Sequence, residues 1–248
     1  MTDQLIPIAT YPYLYVSGLQ ISRTGNGTLS IAAGAARDSN DVLDIVLTAA
    51  TTLSSAASGI NGLDTGTVAA STLYYVYVIS SSNNSAVPGT LLSTSATAPA
   101  LPFGYDSIRL IGYFWTDGSS HFLTDRIVGN GSFRRHYFDT AIKVLTDGAS
   151  QTLANIDVST AVPPVDGIPV NLQVDYTPNT AGDYVSLTPF GSTATVLPHV
   201  AGSVATKINT GQVQIQAKLN TATPTILYIN SAASGKANIW VTGFEYFI

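Results

Sequence analysis

In a chain without cysteine, reactivity would be sought first in histidines and carboxylates, and this one has three histidines, His121, His136 and His199. An imidazole can ligate zinc or move a proton near neutral pH, but a metal site built on one element needs its ligands closely spaced. The three are far apart and none has a second histidine at i,i+4, so each is expected on the surface or in a loop. Asp38, Asp41 and Asp44 fall at three-residue intervals, which on a helix would place them on one face and on strands would not. An EF-hand loop requires a glycine at its sixth position and a closing glutamate. A solvated acidic turn is therefore the expected state of these residues, with a structural Ca²⁺ site as the functional alternative. Glu245 is the sole glutamate and lies in an apolar terminal segment, so a glycosidase pair would have to be made from aspartates.

Other motifs are as sparse. No G-x-S-x-G is present, and Gly25-Asn26-Gly27 lacks the third glycine of a dinucleotide fingerprint. Arg134-Arg135-His136 is the one basic cluster. It reads as a solvated linker, or else as a contact with an acidic partner or a neighbouring subunit. Trp115 and Trp240 could stack on the apolar faces of sugars, but both sit inside apolar runs, and core packing is the preferred reading. No catalytic, cofactor-binding or metal-ligating residue is assigned, and no cofactor is expected.

Composition narrows the class further. Charged residues make up 10% of the 248, against about 25% in typical domains. Ser, Thr, Asn and Gly fill the polar positions instead, which suits packing against copies of the same chain. Thirteen tyrosines argue against disorder. A net charge of −5 disfavours nucleic acid as a partner, since phosphate neutralisation needs clustered Lys and Arg. The opening MTDQLIPIATYPYLYV lacks the basic and uninterrupted apolar regions of a secretory signal, and no apolar stretch approaches the ~20 residues of a membrane span.

The elements that would position any site read as strands. Leu73–Ile79 is an unbroken run of Leu, Tyr, Val and Ile, and Ile108–Trp115 is a second run with one Arg and one Gly. Both are too short for a typical helix and rich in residues that fit a pleated, buried surface, so both are expected as central strands. Pro99, Pro102 and Gly104 break the chain between them. The Asn26-Gly27 step predicts a hairpin. Asp38–Ala50 fits helix or strand, with strand preferred, and Thr51–Gly66 reads as a small-residue loop. Tyr11–Val16 is expected as an extended docking arm or an edge strand, since Pro12 confines it to an edge.

Beyond Gly129–Tyr137, which reads as a boundary, the period-2 signal sharpens. Val170, Leu172, Val174 and Tyr176 alternate with polar residues, as do Val213, Ile215, Ala217 and Leu219. Strands with one dry and one wet face predict antiparallel sandwiches. The fold expected is all-β, with two antiparallel β-sandwich or jelly-roll-like domains in tandem. Residues 1–20 would form the arm or edge strand, 21–130 a β-rich attachment module and 131–248 a projecting or binding sandwich. The apolar finish at Ile239–Ile248 is expected to pair inside a sheet.

One stretch carries a resemblance. Its pieces are Gly62-Leu63-Asp64-Thr65-Gly66, the aromatic strand Tyr74–Val78, Leu92-Ser93-Thr94-Ser95-Ala96-Thr97-Ala98-Pro99, Leu101-Pro102-Phe103-Gly104-Tyr105-Asp106, Arg109-Leu110-Ile111-Gly112 and Thr116-Asp117-Gly118. In this order and spacing they resemble a module of tailed-bacteriophage tail and tail-fibre proteins over roughly residues 18–130. Where that family carries a basic pair before Ile-Gly, this chain has Arg109 alone. The resemblance implies a virion surface protein, a fibre or a capsid decoration, assembled in the host cytoplasm as a homotrimer and bound to other virion proteins. It transfers no site residues. A host-surface glycan bound by residues 131–248 is the alternative partner, and a polysaccharide-degrading enzyme is a third reading.

Overall fold

The protein is described by a computed structural model covering residues 15–83, 85–129, 131–193 and 198–248. Nineteen strands follow one another: β1 (Val16–Gly18), β2 (Ile21–Gly25), β3 (Thr28–Ile31), β4 (Gly34–Arg37), β5 (Asp44–Leu47), β6 (Thr51–Ser54), β7 (Gly62–Leu63), β8 (Leu73–Ser80), β9 (Gly89–Ser93), β10 (Ser107–Trp115), β11 (Asp125–Val128), β12 (Phe133–Gly148), β13 (Ala154–Asp157), β14 (Ile168–Thr177), β15 (Tyr184–Pro189), β16 (His199–Ala201), β17 (Asn209–Asn220), β18 (Thr223–Asn230) and β19 (Lys236–Phe247). No helix occurs among the described residues. The all-β class is as expected, and the sheets are stacked in sandwich fashion. Residues 11–14 of the expected arm lie outside the described residues, while Val16 opens β1 and pairs with Ala36 of β4.

Four sheets result. Two small ones, β1-β4-β5 and β2-β3-β6, enclose the first core. The β2–β3 hairpin turns at Asn26-Gly27, where the sequence places it. Thr51–Gly66 is not the loop expected of it. Thr51–Ser54 pairs with Thr28–Ile31, and Gly62-Leu63 runs parallel to Leu91-Leu92. Small, hydroxyl-rich residues conceal these strands because only Leu53 and Leu63 carry an apolar signal.

The sheet β10-β8-β9-β7 is the middle layer. Tyr75, Tyr77 and Ile79 of β8 face the larger core, while Tyr74, Val76 and Val78 face the first core. Tyr113 and Trp115 of β10 likewise face one way, and Ile111 and Phe114 the other. Burial on both faces is why these runs lack the alternation of a half-wet strand. Gly112 sits at a bulge in β10, where a Cβ would lie 2.6 Å from Ile21 Cδ1. A side chain there would have to displace the tip of Ile21 from β2.

The fourth sheet has the order β11-β12-β19-β14-β17-β18-β15-β16, with β13 also pairing β18. β14 shows the predicted alternation, with Ile168, Val170, Leu172, Val174 and Tyr176 buried and the residues between them half-buried. β19 lies between β12 and β14, so the apolar finish of the chain is an interior strand, as expected. Ile248 is half-buried and its N–H donates to the Ser132 carbonyl at 3.0 Å. The inner face of this sheet packs on Tyr75, Tyr77, Tyr113 and Trp115, forming one continuous core.

Candidate functional site

The outer face of the large sheet holds a polar trough. Across five strands, Arg126 of β11 pairs with Tyr137 of β12, Tyr137 with Gly243 of β19, Gly243 with Asn171 of β14, and Asn171 with Gln214 of β17. The middle member of this row has no side chain, so the surface dips there. Gly243 is obligatory, because a Cβ would lie 2.2 Å from the His136 carbonyl oxygen.

Two ladder irregularities meet at the same spot. Between Tyr137 and Ile142 the β12 register jumps while β19 advances only from Gly243 to Val241. On the other side of β19, Asn171 and Leu172 are adjacent but pair with Gly243 and Val241, leaving Thr242 as an extra residue. Bulges bend a strand and re-aim its side chains. The trough they open has a volume of about 630 Å³, walled by Arg126, Tyr137, Asp139, Asn171, Gln212 and Gln214, with Arg135 and Glu245 at one end.

Its electrostatics are balanced. Arg135 Nε lies 2.9 Å from Glu245 Oε1, and the Arg126 guanidinium sits 5.6 Å from the centre of the Tyr137 ring. Gln214 Nε2 donates to Asn171 Oδ1 at 3.1 Å, and Thr242 Oγ1 donates to the Asn171 carbonyl at 3.1 Å. On the same outer face, Trp240 pairs with Gln173 and carries Lys143 Nζ 4.9 Å from its ring centre.

Directly beneath, on the inner face, lies a second polar group. His136 Nε2 is 2.5 Å from Asp125 Oδ2, and both side chains are fully buried. Burial pushes the Asp125 carboxyl above the usual carboxylate range, and the His136 ring pulls it the other way. The His136 ring stacks on Phe244 at 4.9 Å, and His136 Nδ1 has no hydrogen-bond partner among the described residues. Arg134 is also fully buried, and its Nη2 donates to the Gly18 carbonyl at 2.8 Å. Burial holds its guanidinium below the ordinary arginine value. The Asp125–His136 pair is sealed from solvent, beyond the reach of a substrate, and it joins β11 to β12.

These placements correct several expectations. His136 and Arg134 are core residues, not a surface histidine and a solvated linker. Successive members of Arg134-Arg135-His136 alternate across β12, so only Arg135 faces out. His121 and His199 are exposed, as expected; His121 pairs with Asp117 at 3.8 Å and His199 packs beside Tyr184. Trp115 is core, but Trp240 is half-buried on the outer face, because its neighbours Ile239 and Val241 take the inner positions. The acidic turn is less solvated than expected. Asp38 is buried and accepts the Val42 and Leu43 N–H groups, while Arg37 bridges Asp41 and Asp44 at 3.3 and 2.9 Å. Among the described residues no three of His, Asp and Glu converge as a metal-ligand set.

No family model and no curated protein matches the chain. Among solved structures, similarity is found to the structure of infectious bursal disease virus Gx strain, with 13% identity and a TM-score of 0.20, covering 94% of this chain and 65% of the other. A Bacillus thuringiensis Cry1Da tryptic core variant is similar at 8% identity and a TM-score of 0.18, covering 100% of this chain and 56% of the other. The chain thus spans about two thirds or less of these neighbours' lengths.

Proposed function

We propose that the chain is a structural protein of a tailed-bacteriophage virion, a trimeric fibre or decoration protein on tail or capsid. The observation that carries this reading is what the phage-like residues do. The segments from Gly62 to Gly118 build the middle layer and the loops that lock it, and their carboxylates are spent on that architecture. Asp64 Oδ2 accepts Ser93 Oγ at 2.6 Å and the Ala100 N–H at 3.1 Å. Asp106 accepts the Ser82 hydroxyl at 2.5 Å and the Ser82 N–H at 2.7 Å, and Asp117 accepts the N–H groups of His121 and Ser119 at 2.9 and 2.8 Å. Hydrogen bonds of this kind hold Asp106 and Asp117 below the usual carboxylate range. A module whose polar residues serve its own loops suits a rigid building unit.

In this reading the first part of the chain attaches to the particle and the large sheet projects. Immunogold labelling of purified virions tests it, together with sedimentation equilibrium of the isolated chain. Labelled particles and three times the chain mass are expected. Unlabelled particles, or a monomer at all concentrations, overturn it. Deletion of residues 1–20 should abolish incorporation, and full incorporation of that variant overturns the attachment assignment.

A further inference from the structure

We propose that the trough over Gly243 is a carbohydrate site, taking a short neutral oligosaccharide with adjacent free hydroxyls. Three features point to this class of ligand. The first is shape: a depression of about 630 Å³ falls within the range of small-ligand pockets, roughly 300–1,000 Å³. It is created by two bulges and a glycine meeting in one row, and the large sheet spends hydrogen bonds of two ladders to make it.

The second is hydrogen-bonding chemistry. A sugar hydroxyl both donates and accepts, so its receptor must offer both in close pairs. The Gln214–Asn171 bond uses one donor and one acceptor and leaves Asn171 Nδ2 and Gln214 Oε1 without a partner among the described residues. These two groups form a donor–acceptor pair of the kind that fits adjacent hydroxyls. Gln212 adds an exposed amide on the same strand, and Tyr137 supplies an aromatic ring on the opposite wall for the C–H face of a sugar ring.

The third is charge. Arg126 and Arg135 are balanced by Asp139 and Glu245, so the trough offers no net field to a phosphate or a sialic acid. Its polar lining gives a lipid or an apolar peptide nothing to bury. A neutral polyhydroxylated ligand is what remains.

This inference deepens the particle-surface reading, but it is measured on the isolated chain, whereas incorporation is measured on virions, so each can fail alone. The full chain is screened on an array of bacterial surface oligosaccharides and titrated with the best neutral hit and with sialyllactose, following saturation-transfer NMR signals. Binding of a neutral saccharide is expected, weakened about tenfold or more by Tyr137→Ala and by Gln214→Ala. Gln214 is exposed, so its variant keeps the fold even if the tyrosine variant does not. Lys218→Ala, farther along the exposed face of β17, should bind as the parent does. No neutral ligand at about 10 mM, preference for sialyllactose, or undiminished binding by Gln214→Ala overturns the proposal.

Discussion

Removing the Phe244 ring should destabilise both halves of the chain together. The side chain is fully buried, and its ring lies within 6.5 Å of Tyr113, 5.6 Å of Trp115, 4.9 Å of His136, 6.2 Å of Phe138 and 5.4 Å of Tyr246, centre to centre. Truncating a core phenylalanine to alanine costs about 3–5 kcal/mol, and a ring with this many aromatic neighbours belongs at the upper end, about 4–5 kcal/mol. For a chain of this size each kcal/mol lowers the midpoint by about 2–4 °C, so Phe244→Ala should melt roughly 8–20 °C early. Phe244→Leu keeps most of the volume and should lose about 1.5 kcal/mol or less. Tyr113 and Trp115 belong to the middle layer and Phe244 to the large sheet, so calorimetry should show one transition moving as a whole. A loss below about 1.5 kcal/mol for the alanine variant would refute the packing argument. A second transition left unshifted would refute the coupling of the layers.

Two further outcomes follow from buried polar groups. Burial raises the Tyr113 phenol from 10.0 to about 12, and raises those of Tyr77 and Tyr246 further still. The folded chain keeps these protons where the unfolded chain loses them, so this stability is intact below pH 10 and drains away between pH 10 and 12. Tyrosinate absorbance should therefore rise in step with loss of circular dichroism, and ionisation of all thirteen tyrosines near pH 10 in folded protein would contradict it. Arg134 leaves Nε and Nη1 without partners among the described residues, and a buried, unpaired cation costs several kcal/mol. Arg134→Met should stabilise by about 1–4 kcal/mol in denaturant unfolding, while Arg134→Ala, which opens a cavity, should destabilise. A destabilised methionine variant would reject the unpaired state.

The strands that could be read from sequence were those whose pattern has a single cause. In β14 one face is dry and the other is not, so Val170, Leu172 and Val174 mark themselves; in β8 both faces are buried, and the run is continuous. β12 begins Phe-Arg-Arg-His-Tyr-Phe, in which each face receives both polar and aromatic residues. No periodicity can then separate Arg134 and His136 from Arg135 and Tyr137. Burial of the inner pair rests on Asp125 and on the Gly18 carbonyl, which lie 11 and 116 residues away. For Trp240 the signal was present, since Ile239 and Val241 on either side claim the inner face. The trough was half legible. Alternation assigns Asn171, Gln212 and Gln214 to the wet face, but their meeting with Tyr137 and Gly243 depends on strand order and on two register shifts, which no local pattern encodes.

The place of β19 between β12 and β14 has a consequence for synthesis. Until β19 has left the ribosome, β12 and β14 each expose one bare row of amides and carbonyls beside unpacked aromatics. Those two edges of the large sheet must wait in that sticky condition, open to pairing with other nascent chains. The strand between them acts as a keystone, and slow elongation or premature termination near Lys236 should yield inclusion bodies in place of a shortened but soluble product.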